Sequence, residues 1–190
     1  MQDYNTKQIT TFGSRPAKVT QENVKFIYCK DEYALINTFM DWWQNNTPEV
    51  VTGWNCELYD IPYLVGRISR LMGEKVAKKL SPWNIVRVNE VTISGRKQLS
   101  CDIAGVSIID YLDLYKKSPA TPNQESYRLD HIAFMELGQN KLDHSEYDTF
   151  RDFYSNNWQK FVEYNIVDVE LVDRLEDKLK LIDLCFTRAF

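Results

Sequence analysis

Two short stretches of the chain carry polar side chains whose types and spacing could do chemistry. The first, TGWNCELYDIPYL, begins like a buried strand and then places Asn55, Glu57 and Asp60 in quick succession, with Tyr59 beside Asp60. Carboxylates at the end of a buried strand are costly unless something pairs with them. Asp60 precedes a helix with Pro62 in its first turn, where ligands usually bind in α/β sheets. The same spacing allows Asp60 to cap that helix.

The second stretch, EYNIVDVELVDRLEDKL, has the pattern of a helix near the end of the chain. Tyr164 and Asp168 are four residues apart and therefore lie on one helix face. Val172 and Leu175 continue that face inward, so the tyrosine and the carboxylate lie on an otherwise apolar stripe. A surface Tyr–Asp pair is the simpler interpretation of this stretch alone.

The elements that must position these residues alternate between strand and helix patterns. Residues 84–103 predict a β-hairpin with its turn near Ser94-Gly95, and Gly138 closes a helix that includes RLDHIAFMEL. A helix after Asp31, its N-cap candidate, buries a face that includes Tyr33. Other strand patterns lie at 6–12, 24–29, 50–54 and 106–110, and a final helix runs from about 157 to 186. This order predicts an α/β fold, a mixed β-sheet flanked by helices with the hairpin inserted.

The charge of the chain bears on its partners. Its net charge is −4 and its pI is near 5.3. These values argue against broad duplex binding, which favours a basic face, but they permit a site that holds nucleotides through metal ions. A basic cluster of Lys75, Lys78 and Lys79 is either a solvated helix face or a nucleic-acid contact.

Residue usage points to a reduced, intracellular domain. The 190 residues fit one domain, without an apolar run of the roughly 18–20 residues that span a bilayer and without a signal-peptide layout at the start. Four cysteines form no CxxC pair, and only two histidines accompany them. This argues against a zinc site and favours reduced, mostly buried cysteines.

In combination and in order, the two stretches resemble the 3′–5′ exonuclease domain of family B DNA polymerases, in particular the replicative polymerases of large tailed phages. The second exonuclease motif of that family stands here as Asn55, Tyr59 and Asp60 before the proline-containing helix start, and the third as Tyr164 and Asp168. The intervening LSPWNIVRV, GVSIIDYLDLYKK and SYRLDHIAFMELGQNKL also resemble the phage branch, so the likeness runs from about residue 30 to 190.

The resemblance implies a ribonuclease H-like fold and a reaction in which two Mg²⁺ or Mn²⁺ ions hydrolyse 3′-terminal nucleotides from single-stranded DNA. It implies that Asp60 binds the metal that bridges to the phosphate, that Asp168 holds the metal that makes the nucleophile, and that Tyr164 orients the attacking water. Asn55 and Tyr59 would contact the frayed 3′ end, with the ring beside a base or sugar.

The resemblance also implies supporting roles and leaves one motif without a match. Asp110 and Lys141 are candidates for support, although Asp110 could equally cap a helix. The family's first motif, Asp-x-Glu on an early strand, does not precede Asn55: Asp31 and Glu32 are adjacent. We therefore expect the chain to begin just after that motif, as an N-terminally truncated fragment.

Two consequences are expected from that missing motif. The sheet should lack its first, central strand, so that an open edge favours self-association. With half of the metal carboxylates gone, metal binding and hydrolysis by this chain alone should be very weak or absent.

The resulting prediction is that residues 1–190 form a partial proofreading exonuclease domain of a DNA polymerase, without polymerase palm motifs. Its expected partners are a single-stranded DNA 3′ end, primer-template DNA, nucleotide and the remainder of the polymerase, without a membrane. The expected location is the cytoplasm of a phage-infected bacterium. The alternative is a non-catalytic module on an exonuclease-like scaffold that binds nucleic acid or a replication partner.

Overall fold

The computed structural model of the chain describes residues 1–93, 95–139, 147 and 149–189. They form two compact units, which are described separately. The first unit comprises residues 1–35 and 118–190, and the second comprises residues 36–117.

The second unit contains most of the predicted α/β pattern. Its helices are α1 (Glu32–Asn45, which begins in the first unit), α2 (Asp60–Met72), α3 (Glu74–Ala77) and α4 (Tyr111–Lys117), with a 3-10 turn at Lys78–Leu80. Its strands are β3 (Val50–Gly53), β4 (Val86–Ile93), β5 (Arg96–Ile103) and β6 (Ser107–Asp110).

The parallel pair β3–β6 sets the position of the predicted site. Thr52 is opposite Ile109 and Gly53 is opposite Asp110, so both strands end side by side. The chain leaves β3 into the loop that carries Asn55, and it leaves β6 directly into α4. The carboxyl ends of parallel strands are where ligands bind in α/β sheets.

The predicted hairpin is confirmed as an antiparallel ribbon of β4 and β5. Its register runs from Val86 opposite Ile103 to Ile93 opposite Arg96. Gly95, in the turn, has a φ of 78°, a conformation that glycine adopts without strain. Ser94, the other predicted turn residue, lies outside the described residues.

The first unit contains a second parallel pair and the C-terminal helices. β1 (Ile9–Gly13) pairs with β2 (Val24–Tyr28), and Ile9 packs in a core with Val162 and Ile166. The helices that follow are α5 (Leu129–Leu137), α6 (Phe150–Asn156), α7 (Trp158–Leu179) and α8 (Leu181–Ala189).

The α/β character is confirmed, but the strand pairing differs from the single mixed sheet that was expected. Among the described residues the strands pair two by two, as β1–β2, β3–β6 and β4–β5. Each unit holds one parallel pair, and the long ribbon strands bond to each other along all eight residues. The described strands therefore do not extend into one sheet.

Several helix boundaries follow from local chemistry. Asp31 Oδ1 accepts a hydrogen bond from the Ala34 N–H at 2.7 Å, which confirms the N-cap of α1. Gly138 ends α5 in the left-handed conformation, also as expected. The final helix is interrupted at Lys180, whose φ is 54°, so α7 and α8 are separate. The expectation for Tyr33 was wrong, because its side chain is exposed.

None of the helices in the described part of the chain is both long enough and apolar enough to cross a membrane.

Trp43 is the central core residue that joins α1 to the segment after α3. Its side chain is fully buried, and its indole Nε1 donates to the Leu80 carbonyl at 2.8 Å. Phe39, one turn earlier, contacts the same indole with ring centroids 5.8 Å apart. The indole therefore supplies both apolar area and the partner of a buried carbonyl.

Replacing Trp43 with phenylalanine should lower the free energy of unfolding by about 2–4 kcal/mol, because it opens a cavity and leaves the Leu80 carbonyl without its donor. Urea unfolding followed by circular dichroism measures this loss. Trp42→Phe, on the half-buried neighbour, is the matched control and should cost clearly less. Equal losses for the two variants would contradict the assignment.

Candidate functional site

The site is built around the carboxylate of Asp110, the last residue of β6. Its side chain is buried, with 7% exposed. Oδ1 accepts the backbone N–H of Asn55 at 3.0 Å, and Oδ2 accepts that of Glu57 at 3.0 Å. Oδ1 also accepts the N–H of Leu112 at 3.0 Å. One carboxylate thus serves three backbone donors from two separate segments.

These three bonds explain why an acid stands at the end of an apolar strand. The bond to Leu112 caps α4, so the helix-cap interpretation of Asp110 is confirmed. The bonds to Asn55 and Glu57 have a second function, because they fix the loop after β3. Bonds to an ionised acceptor are stronger than neutral ones, so the loop is held tightly.

The loop needs such support because of its backbone conformation. Asn55 has a φ of 63°, in the left-handed region, which asparagine tolerates better than other residues with side chains. Gly53 leaves room for Cys56, because a Cβ on Gly53 would lie 3.0 Å from the Cys56 Cβ. The Ile61 N–H then donates to the Cys56 carbonyl at 3.0 Å and leads the chain into α2.

Asp60 is the first residue of α2, and Tyr59 occupies the cap position before it without a side-chain capping bond. The structure therefore does not give Asp60 the N-cap position that was its alternative interpretation. Its carboxylate is exposed and lies at the positive end of the helix dipole, which favours negative charge.

A shallow hollow of about 470 Å³ lies beside this loop. Tyr59 and Tyr63 border it with rings that are 70% and 67% exposed, which is unusual for side chains of this size. Its other lining residues come from the loop, from the start of α2 and from β5: Asn55, Leu58, Pro62, Gln98 and Leu99. Flat exposed rings beside an amide suit an unpaired base.

Part of this hollow was missed by the sequence interpretation. The contribution of Gln98 and Leu99 depends on the ribbon folding back toward α2, which no local pattern indicates. Tyr63 carried a usable signal, because it stands four residues after Tyr59 at the start of a helix.

Cys56 is buried within the same loop and is chemically quiet. Burial, with the neighbouring negative charges of Asp110 and Asp60, raises the pKa of its thiol to about 12. The reactive form of cysteine is the thiolate. The thiol at this position therefore packs as a small apolar group.

Tyr164 and Asp168 lie in the first unit, on α7, as the sequence predicted for a helix. Tyr164 is buried, and its ring makes edge contacts with Phe150 and Phe153, with centroids 5.9 and 5.8 Å apart. Asp168, one turn later, is half-buried, with its Oδ1 turned away from solvent. Val172 is buried on the same face, which confirms that the stripe points inward.

The predicted site residues therefore form two groups, each described within its own unit. Asn55, Tyr59 and Asp60 are brought together by the loop and the first turn of α2, whereas Tyr164 and Asp168 share one face of α7. Glu57, in the same loop, is half-buried. Lys141, a candidate for support, lies outside the described residues.

The oxygen donors of the site bear on whether it could hold a metal ion. Asp60 and Asp168 offer carboxylate oxygens, the ligand type that Mg²⁺ and Mn²⁺ prefer. Among the described residues, however, no group of three or more His, Cys, Asp or Glu side chains is placed to hold a metal. The ligand type fits and the ligand number does not, so we derive no step through a metal here.

Asp110→Asn should lower the free energy of unfolding by about 1.5–3 kcal/mol, because the amide keeps one acceptor oxygen and turns an NH₂ toward a backbone donor. The amide protons of Asn55 and Glu57 should then exchange faster with solvent, which hydrogen exchange read by NMR measures. Asp113→Asn is the control, because Asp113 only forms an exposed ion pair with Lys117 at 2.8 Å. Unchanged exchange at both amides would contradict the role of Asp110.

Iodoacetamide at pH 8.5 should modify Cys185, which is exposed, and leave Cys56 unmodified in the folded chain. The raised pKa keeps the Cys56 thiol protonated below about pH 12. Because the folded state holds this proton more tightly than the unfolded state, the contribution of Cys56 to stability is complete below the ordinary thiol pKa and declines as the pH rises toward 12. Peptide mass spectrometry of the labelled protein checks the pattern, and fast labelling of Cys56 would contradict it.

Comparison with known proteins relates this site to a family. The family model for the exonuclease domain of DNA polymerase family B matches residues 2–132, a range that includes Asn55, Tyr59, Asp60 and Asp110. Tyr164 and Asp168 lie beyond that range.

Curated relatives agree with the family model. The DNA-directed DNA polymerase of Escherichia phage RB69 is 39% identical over 170 residues, which cover 87% of this chain and 18% of the relative. That of Enterobacteria phage T4 is 32% identical over 170 residues, covering 89% of this chain and 18% of the relative. A DNA polymerase from Bombyx mori nuclear polyhedrosis virus is 24% identical over 174 residues, which are 88% of this chain and 17% of the relative.

The chain thus spans about 18% of the length of the phage polymerases that it matches. Because the family model covers more than half of the chain, the protein belongs to the family of family B DNA polymerase exonuclease domains.

Proposed function

We propose that this chain serves as part of the 3′–5′ proofreading exonuclease of a DNA-directed DNA polymerase, with a single-stranded 3′ end as its substrate. The observation that carries this proposal is the loop held by Asp110, which presents Asn55, Tyr59 and Asp60 where β3 and β6 end. Family membership supports the reaction class. The ribonuclease H-like arrangement of the sheet belongs to the same proposal.

The substrate contact is assigned to the hollow beside the loop. Tyr59 is proposed to stack on the terminal base, and the Asn55 amide to bond to the sugar or phosphate of that nucleotide. Asp110 acts through the loop: by holding the N–H groups of Asn55 and Glu57, it fixes where Tyr59 and Asp60 stand. It is a positioning residue in this proposal.

The metal contacts are assigned to Asp60 and Asp168, with Tyr164 as the residue that orients the attacking water. Exonuclease domains of this family generally depend on divalent metal ions. When bound, such ions activate water and steady the leaving 3′ oxygen. The surroundings of Tyr164 support its role, because the contacts with Phe150 and Phe153 restrict its ring.

We further propose that the chain alone cleaves DNA very weakly or not at all. Asp60 and Asp168 are two of the carboxylates that the family chemistry uses, and no Asp-x-Glu precedes Asn55 in the sequence. The proposed partners are the remainder of the polymerase, and, for the whole polymerase, primer-template DNA and nucleotide. The proposed location is the cytoplasm of an infected bacterium. Self-association through an open strand edge stays a prediction.

The test follows Mn²⁺ binding by electron paramagnetic resonance and the shortening of a 5′-labelled DNA single strand. The wild-type chain should bind Mn²⁺ weakly, and Asp60→Asn and Asp168→Asn should each weaken binding at least roughly tenfold and remove any residual cleavage. Asp102→Asn is the matched control, since Asp102 is an exposed strand residue paired with Arg87.

The outcomes separate the two candidate functions. Weaker binding in the Asp60 and Asp168 variants but not in the Asp102 variant would support the exonuclease assignment. Mn²⁺ binding that none of the three variants alters would contradict the metal roles and favour a non-catalytic nucleic-acid-binding module.

A further inference from the structure

Positive charge is concentrated in one segment of an otherwise acidic chain. Residues 61–89 contain six basic residues and one acidic residue, a net charge of +5, whereas the whole chain carries −4. Within this segment Lys75, Lys78 and Lys79 have helical spacing of three and four residues, which places them on one face. The opposite positions, Ala77 and Leu80, are buried.

The three lysines are available for a partner. All three side chains are exposed, and none of them forms an ion pair with a carboxylate in the described part of the chain. Elsewhere exposed lysines do pair, as Lys97 does with Glu90 at 2.7 Å. A face of unpaired ammonium groups attracts phosphate by charge alone.

An exposed tryptophan follows these lysines on a rigid piece of backbone. The side chain of Trp83 is 67% exposed. The backbone N–H of Trp83 donates to Ser81 Oγ at 3.1 Å, and the buried Ser81 hydroxyl donates to the Ala104 carbonyl at 2.7 Å. Leu80 is fixed on the other side, because its carbonyl accepts the indole N–H of Trp43.

Close packing underneath completes the support of this segment. Gly105 has a φ of 86°, and a Cβ there would lie 2.6 Å from the Pro82 Cγ, so Pro82 rests directly on glycine backbone. The same Cβ position is 3.7 Å from the Trp83 Cε3. The ring edge is therefore seated on the protein while most of the ring faces solvent.

We propose that Trp83 and the lysines at 75, 78 and 79 form a second contact surface for single-stranded DNA, separate from the hollow at Tyr59. Exposed ammonium groups hold successive phosphates, and the indole stacks on an unpaired base. The need for an unpaired base is what commits the surface to a single strand. The inference rests on the proposed function only for the class of ligand, and it requires neither metal nor cleavage.

The test measures binding of a fluorescent dT₁₆ strand by anisotropy in EDTA over a range of salt concentrations. Lys78→Gln/Lys79→Gln should weaken binding and make the slope of log K against log salt less negative by about 1.4, or 0.7 for each phosphate that the protein no longer neutralises. Trp83→Ala should weaken binding roughly tenfold with an unchanged slope, and Trp83→Phe should retain most of the affinity.

The matched control removes two exposed lysines and an exposed aromatic ring elsewhere in the chain. Lys25→Gln/Lys30→Gln removes the same charge from two exposed lysines, and Tyr28→Ala removes an exposed ring that lies between them in the sequence. These variants should bind like the wild type. A blunt duplex of the same length should not respond to Trp83→Ala, because its bases are paired.

The binding data can support or overturn this second contact surface. Slope and affinity changes confined to the Lys78/Lys79 and Trp83 variants support the surface. The proposal is overturned if the wild-type chain does not bind dT₁₆, if the control variants bind as weakly as these, or if Trp83→Ala weakens duplex binding equally. Tyr59→Ala, measured alongside, reports on the hollow, so the two surfaces can fail independently.

Discussion

The acceptance of three backbone N–H groups by the Asp110 carboxylate is the interaction on which the arrangement of the second unit depends. It joins the end of β6, the start of α4 and the loop after β3 at a single buried group. A neutral side chain of similar size has too few acceptors for this task. The desolvation of the carboxylate is offset by the three fixed donors.

By holding the loop after β3, the Asp110 carboxylate also determines where the candidate site residues lie. Asn55 is kept in a left-handed conformation and Asp60 is placed on the first turn of α2, so neither position is set by its own local preference alone. The exposed rings of Tyr59 and Tyr63 then border a hollow that β5 completes. The buried groups thus fix the loop, and the exposed aromatic rings are left to contact a ligand. This arrangement is expected of a binding site on a rigid support.

How much of this could be predicted from the sequence depended on the range of the interactions. The hairpin, the Asp31 cap and the Gly138 stop were predictable because turn and cap chemistry is local. The pairing of strands was not, because it is decided by contacts between distant segments. The second role of Asp110 is of that kind, since its partner Asn55 is 55 residues away. The motif at Asn55, Tyr59 and Asp60 identified the family, but only the structure indicated what holds it.

The tight approach of Gly53 and Cys56 limits how this loop can vary. A methyl group on Gly53 would meet the Cys56 Cβ at 3.0 Å, and Cys56 is itself enclosed. A side chain on Gly53 would therefore push the Cys56 Cβ by a few tenths of an ångström, and the loop that carries Asn55 would have to shift with it. A substitution at position 53 is therefore transmitted to the loop, although Gly53 itself belongs to the strand before it.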